Sequence, residues 1–263
     1  TAGKQCNAVV RQLLEDCWHV RAFTRNKNNE KLTSIENEHL EIFEGDLSNE
    51  DSLAQAMQGQ YGLYSVQPII PDNVEEELRQ GEMIIDTAER QGINYVVYST
   101  AGGVNRDRTG PHFEALAQLE NKIKASRLNF TIIKPSFFMD NFLRITKVEN
   151  GEIKIPEFII PNVKFAMISS IDIAKIASTL FEDAESYNHQ ELEIASDELT
   201  LNEVVKTFAT VTGKPTEIEG AFTSGTAERS WLEEKGYVID FVQMERINPT
   251  RLTLDKWIAE VDF

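Results

Sequence analysis

The sequence predicts an α/β protein: a doubly wound parallel sheet followed by a smaller, mixed C-terminal part. Three observations predict it. Short apolar strands begin about 20 to 35 residues apart through the first half, which leaves room for one crossover helix between each pair. The stretches between them carry apolar residues at helical spacing. Beyond residue 136 the regular alternation stops.

The elements follow in order. Thr1-Ala-Gly-Lys-Gln-Cys6 runs straight into a helix with Val9, Leu13 and Leu14 on one face. Cys6 and Cys17 fall on that helix about 16 Å apart, too far to bridge. Strands are read at His19–Arg25, Leu40–Gly45, Tyr61–Val66, Tyr95–Thr100 and Phe130–Pro135. Ser48 and Asp51 form a capping pair ahead of Leu53, Ala54 and Met57. Val74–Gln91 is a long acidic helix. Pro111 opens a helix whose Phe113, Leu116, Leu119 and Ile123 recur at helical spacing. In the second half, two apolar pieces around Pro161 suggest a hairpin between Glu152 and Ser169. Ser169 and Asp172 cap a helix, Glu191–Ala195 is a strand, and a helix through Leu201 and Phe208 stops at Gly213. Thr226–Lys235 and Thr253–Val261 are helical. The expected division is residues 1–150 for the nucleotide-binding sheet and 151–263 for the C-terminal part, with residues 171–196 contributing a helix and a strand back to the sheet.

Composition excludes several function classes. The 263 residues carry 26 Lys+Arg against 43 Asp+Glu, a net charge of −17. Unaided binding to nucleic acid or to an anionic membrane needs a positive field, so neither is expected. Hydrophobic residues make up 41% of the chain, which argues against disorder, and two Cys cannot form a disulfide scaffold. No apolar run reaches the roughly 18 residues of a membrane span, and no signal peptide opens the chain; a cytoplasmic location is expected. The four His are scattered without metal-ligand spacing. The opening reads as a βαβ unit without its first strand, either a truncation or a natural feature.

In dinucleotide folds the first turn carries glycines, so that the backbone can approach a pyrophosphate at the helix N-terminus. Here Gly3 alone of the usual three is visible, and an ordinary helix cap explains it equally well. The end of the next strand adds information. NAD-binding proteins place an acid there, NADP-binding proteins an Arg. This chain has Thr24-Arg25-Asn26-Lys27 and no acid until Glu30. A guanidinium pairs bidentately with phosphate, which favours NADP(H) over NAD(H); the plain alternative is a solvated basic loop.

Ala2-Gly-Lys-Gln5, Leu13-Leu-Glu-Asp16, Val20-Arg-Ala-Phe-Thr-Arg-Asn26, Glu44-Gly-Asp-Leu47 and Tyr95-Val-Val-Tyr-Ser99 occur in that order. Pro111-His-Phe-Glu114, Pro135-Ser-Phe-Phe-Met-Asp-Asn-Phe142 and Asn248-Pro-Thr-Arg-Leu-Thr-Leu-Asp-Lys-Trp257 complete the series. With these segments the chain resembles the NmrA-like family, a branch of the atypical short-chain dehydrogenase/reductases with Rossmann-type NAD(P)-binding sheets, and in particular its redox-sensor members. The resemblance implies that Gly3, Lys4 and Gln5 face the pyrophosphate and that Arg25, with Asn26, holds the 2′-phosphate. It implies that Asp46 and Leu47 border the adenine, that Val66 and Gln67 line the cofactor groove, and that Ser136, Phe138 and Asn141 lie near the nicotinamide.

Two departures matter. Many relatives keep a Lys three residues after the His-Phe pair, where it touches the nicotinamide ribose; here that position is Leu116, which also continues the core stripe. Lys122 and Lys124 lie too far round the helix to replace it. Cys6 stands where a small residue is usual, either as a reactive helix-start thiol or, the favoured reading, as a small buried hydrophobe. The usual Tyr and Lys pair of short-chain enzymes is missing, which leaves His112 as the one weak acid–base candidate. The leading expectation is an NADP(H)-binding, redox-responsive regulator with weak or no dehydrogenase activity, working through a protein partner. The alternative is an NADPH-dependent reductase of a quinone or enone whose substrate the sequence does not name. A third is an interaction module without cofactor.

Overall fold

The structure, a computed structural model, describes residues 3–221 and 226–261; Ala2 of the first segment of the resemblance therefore lies outside the described residues. Helix α1 (Lys4–Glu15) leads into β1 (Val20–Thr24), the short α2 (Glu30–Thr33), β2 (Leu40–Glu44), α3 (Glu50–Met57) and β3 (Gly62–Val66). Next come α4 (Val74–Gln91), β4 (Tyr95–Ser99), α5 (Pro111–Ala125), β5 (Phe130–Pro135) and β6 (Phe137–Phe138). The second half contains α6 (Phe142–Ile145), β7 (Lys147–Glu149), β8 (Glu152–Glu157), β9 (Lys164–Ile168), α7 (Ser170–Glu182), α8 (Ala184–Tyr187) and β10 (Gln190–Ile194). It ends with β11 (Asp197–Thr200), α9 (Leu201–Thr212), β12 (Thr216–Ala221), α10 (Thr226–Glu234), α11 (Phe241–Ile247) and α12 (Leu254–Glu260).

The parallel sheet is of the Rossmann type and lies in two sections. Strands β10-β5-β4-β3 form one and β1-β2 the other, with every pairing in both parallel. Strands β4 and β5 are buried along their whole length, as expected of parallel strands covered on both faces, and this explains their unbroken apolar reading. No hydrogen-bonded ladder joins β1 to β3 among the described residues. Packing of α1 connects the sections instead. Val9 lies in a cluster with Tyr95, Val97 and the apolar face of α7. Val10 and Leu14, on the neighbouring face of α1, pack with Ala22 and Leu32. Apolar residues at successive helical positions thus hold α1 against both sections.

Strand registers align the C-terminal ends. Thr24 pairs with Glu44, and Val66 pairs with Ser99. Within each section the turns after the strands open on one edge, where open α/β sheets take their ligands, and α1, packed on both sections, brings its N-terminus to the ends of β3 and β4. Residues 171–196 supply most of α7, which packs on this sheet, and β10, which pairs with β5. A separate cluster built around Phe142, Ile155, Phe165, Phe208 and Trp257 organises the C-terminal part.

Three local expectations are corrected. The pieces around Pro161 are not a hairpin: β8 pairs with β7 and β12, while β9 pairs with β11 and β6. The cap of α3 is Asn49, whose side chain accepts from Ser52 N–H; Ser48 instead donates to Asp46 inside the preceding turn. Cys17 falls past the end of α1, in the left-handed region at φ 62°. Other termination signals act as read: Ser169 caps α7 through Asp172 N–H, and Gly213 ends α9 in the left-handed conformation at φ 67°.

Candidate functional site

The candidate site is the crevice along the aligned strand ends. Helix α1 starts at Gly3 with no side-chain cap and no acidic residue in its first turn. A Cβ built on Gly3 would meet no atom within 4 Å, so the helix start is open. Uncapped N–H groups and the helix dipole make such a start attractive to an anion. The Gln5 side chain is buried and donates to Tyr64 Oη at 2.6 Å and Ser99 Oγ at 2.6 Å. It therefore fixes the first turn of α1 over the ends of β3 and β4. Lys4 reaches the Asp140 carbonyl at 3.3 Å, which brings the start of α1 beside Asn141 and the turn after β5.

Arg25, Asn26, Asp46 and Leu47 gather at the ends of β1 and β2. The backbone there is joined by Gly45 N–H to Thr24 C=O at 2.9 Å. Arg25 is exposed, and its charge helps to hold Asp46 below the usual carboxylate range, after the larger effect of hydrogen bonds from Ser48. Asp46 is thus an ionised acceptor of a local turn. Leu47 packs against the α3–α4 apolar cluster.

Val66 ends β3 and Gln67 follows it. Gln67 is only 5% exposed, yet neither Oε1 nor Nε2 has a protein partner. It lies against Gly81 of α4 and Leu119 of α5; a Cβ on Gly81 would come within 3.1 Å of its Oε1. Ser136, after β5, is 4% exposed with its hydroxyl also unpartnered. Buried polar atoms are normally satisfied, so two such side chains at one sheet edge suit water or a polar ligand. Phe138 packs against the α7 cluster, and half-buried Asn141 closes the short turn at Met139–Asn141.

His112 is anchored in a way the sequence did not show. Its Nδ1 makes a short contact with Glu77 Oε1, and Glu77, 1% exposed, also accepts from Ile70 N–H at 3.3 Å. The sequence shows Glu77 only as part of the long acidic helix Val74–Gln91. Ser99 and Tyr64, the partners of Gln5, were likewise missed, because both read as ordinary strand positions.

The departures are visible in the geometry. Leu116 is 2% exposed in the core face of α5. Lys122 pairs with Asp86 at 2.7 Å and Lys124 with Glu191 at 2.6 Å, so neither substitutes for a lysine at position 116. Burial of the sulfur raises the Cys6 thiol above its ordinary pKa, which works against the reactive-thiolate alternative, while the residue as a whole is only partly buried. Among the described residues no cluster of His, Cys, Asp or Glu could hold a metal, and no helix is long and apolar enough to cross a membrane.

These features define a class: a Rossmann-type α/β protein with an open helix start and polar residues along the carboxyl edge of its sheet. The profile of the NmrA-like family matches residues 1–251, and the chain belongs to that family. An NmrA-like family domain-containing oxidoreductase of Aspergillus hancockii is 27% identical over 241 residues, covering 81% of this chain and 70% of that protein. The fold matches the triphenylmethane reductase of Citrobacter sp. complexed with NADP(H), at TM-score 0.79 and 17% identity over 98% of this chain and 96% of that one. It also matches NmrA, a negative transcriptional regulator in complex with NADP, at TM-score 0.81 and 14% identity over 99% and 92%.

Proposed function

We propose that this chain binds an NAD(P) dinucleotide along the strand ends, prefers NADP(H), and acts as a redox-responsive regulator with weak or no dehydrogenase activity. The open start of α1 at Gly3, Lys4 and Gln5 would hold the pyrophosphate. Arg25 and Asn26 would hold the 2′-phosphate, with Asp46 and Leu47 beside the adenine. Val66 and Gln67 would line the groove. The unpartnered amide of Gln67 and hydroxyl of Ser136 would gain partners there, with Phe138 and Asn141 near the nicotinamide. The fit has one strained point, because Cys6 adds a side chain in the first turn. Bound dinucleotide supplies hydride chemistry, while this chain's part is to bind and orient.

The observation that carries the regulatory reading is Leu116, buried in the core of α5 at the position where the resemblance implies a lysine in many relatives, with Lys122 and Lys124 both committed to ion pairs. A ligand bound without turnover signals only through unequal affinity for two conformations. The division near residue 150 then separates the sensing sheet from a C-terminal part that faces a protein partner. Two unpaired thiols suit a reducing compartment, and we place the chain in the cytoplasm.

A second reading, an NADPH-dependent reductase of a quinone or enone, is favoured by the His112–Glu77 pair. A buried carboxylate on Nδ1 would orient the imidazole and leave Nε2 to give a proton to a reduced acceptor. Calorimetric titration with NADPH, followed by NADPH consumption against a quinone panel, separates the readings. Binding without consumption supports the regulator. Consumption that disappears in His112→Ala while binding persists supports the reductase. No binding at millimolar dinucleotide overturns both.

A further inference from the structure

The loop from Thr100 to Gly110 joins β4 to α5 and touches both the crevice and the C-terminal part. At its crevice end, Gly102 N–H donates to Pro135 C=O at 2.9 Å, one residue before Ser136. At its far end Pro111 and His112 begin α5, and His112 meets Glu77. Between these ends the backbone adopts the left-handed region at Gly103 (φ 81°), Asn105 (64°) and Asp107 (60°). Two of the three are not glycine, so their strain is held by the surroundings.

The surroundings belong to the C-terminal part. A Cβ on Gly103 would lie 2.1 Å from the Trp231 ring, and one on Gly102 would lie 2.5 Å from Tyr237. Glycines are therefore required for α10 and the turn after it to seat against the loop. Trp231 Nε1 donates to Arg106 C=O at 2.8 Å. The Arg106 guanidinium forks onto Glu193 at 2.6 and 2.8 Å and reaches Gly236 C=O at 3.1 Å. Glu193, 11% exposed in its side chain, also accepts from Gly103 N–H at 3.0 Å and Val238 N–H at 2.8 Å. One carboxylate thus ties together the loop, β10 and the segment after α10.

We propose that this loop is a latch that couples dinucleotide binding at Ser136 to the seating of Trp231 and α10. The proposal rests on the dinucleotide reading above and names its regulation. A ligand that orders the Pro135–Ser136 step fixes Gly102, hence Gly103, hence the seat of the indole. Occupancy favours the seated arrangement, and by reciprocity the seated arrangement favours occupancy.

Hydrogen exchange followed by mass spectrometry, with and without saturating NADPH, tests it on the whole chain. Two regions are expected to slow: the crevice segments 3–8 and 136–141, and residues 229–236, the latter at least threefold. In Arg106→Gln the crevice segments stay protected, residues 229–236 no longer respond, and NADPH binds about fivefold more weakly. Glu193→Gln gives the same pattern from the other side of the fork, which covers the case in which one variant fails to fold. Protection confined to the crevice, or faster exchange at 229–236, overturns the latch and leaves the dinucleotide reading standing. Absence of any protection at millimolar NADPH overturns the reading, and the latch with it.

Discussion

Single side chains decide which chemistry the crevice can support. On the proposed reading, Arg25 is the one that would distinguish the two dinucleotides. It is exposed directly after the end of β1, beside Asp46. A charge-assisted contact to a 2′-phosphate is worth roughly 1.5–3 kcal/mol. Arg25→Ala is therefore expected to weaken NADPH about 10- to 100-fold and to leave NADH nearly unchanged by calorimetry; equal losses would remove the 2′-phosphate assignment. The two thiols make a second expectation. Burial raises the Cys6 pKa, so the folded state holds the thiol proton more tightly than the unfolded chain. Its contribution to stability is fully present below the unfolded thiol pKa and is lost as pH rises through the folded value. At neutral pH Cys6 is a neutral thiol, whereas Cys17 is exposed. Alkylation by iodoacetamide at pH 7.5 should show one fast site at Cys17 and one slow site at Cys6. Comparable rates would contradict the burial of the Cys6 sulfur.

At the scale of elements, the signals are local where they worked and non-local where they failed. Asn49 caps α3 through Ser52 N–H, so Asn49→Ala should cost about 1 kcal/mol in urea unfolding, and Ser48→Ala distinctly less. The two residues adjoin, and only their geometry shows which faces the helix. The long helices and buried strands were legible because β4, β5 and α4 are set by unbroken apolar runs or by helical periodicity. The short strand β6 was not, because two residues carry no period; nor were β11 and β12, whose half-polar sequences become strands only through partners at β9 and β8. The mistaken hairpin has the same origin: β8 and β9 are adjacent in sequence but pair with partners from other parts of the chain. Gly3, Arg25 and the residues that follow each strand could be singled out in the sequence because they stand at a helix start and at strand ends. The internal supports of the crevice could not, since the bonds of Gln5 to Tyr64 and Ser99, and of His112 to Glu77, join residues 35 to 94 positions apart.

Across the whole molecule, one buried carboxylate ties the sheet to the C-terminal segment. Asp172 on α7 is 0% exposed. It accepts from Ser169 Oγ at 2.9 Å, Ser196 Oγ at 2.5 Å, Asn248 Nδ2 at 2.7 Å and Leu252 N–H at 3.1 Å. Asp172→Ala leaves several buried donors unpaired, at roughly 1–3 kcal/mol each; on the order of 4 kcal/mol should be lost in urea unfolding. A loss below about 1 kcal/mol would show that the segment around Asn248 docks independently. The fold as a whole thus rests on a sheet in two sections, with α1 and the carboxylate-bearing α7 packed together on one face and α3, α4 and α5 covering the other. Its shared edge is what the functional reading uses. Isothermal calorimetry of the intact chain with NADPH, and with NADH for comparison, tests that use most directly. The account predicts saturable binding of one equivalent, at least tenfold tighter for NADPH; no saturable heat up to millimolar NADPH would contradict it.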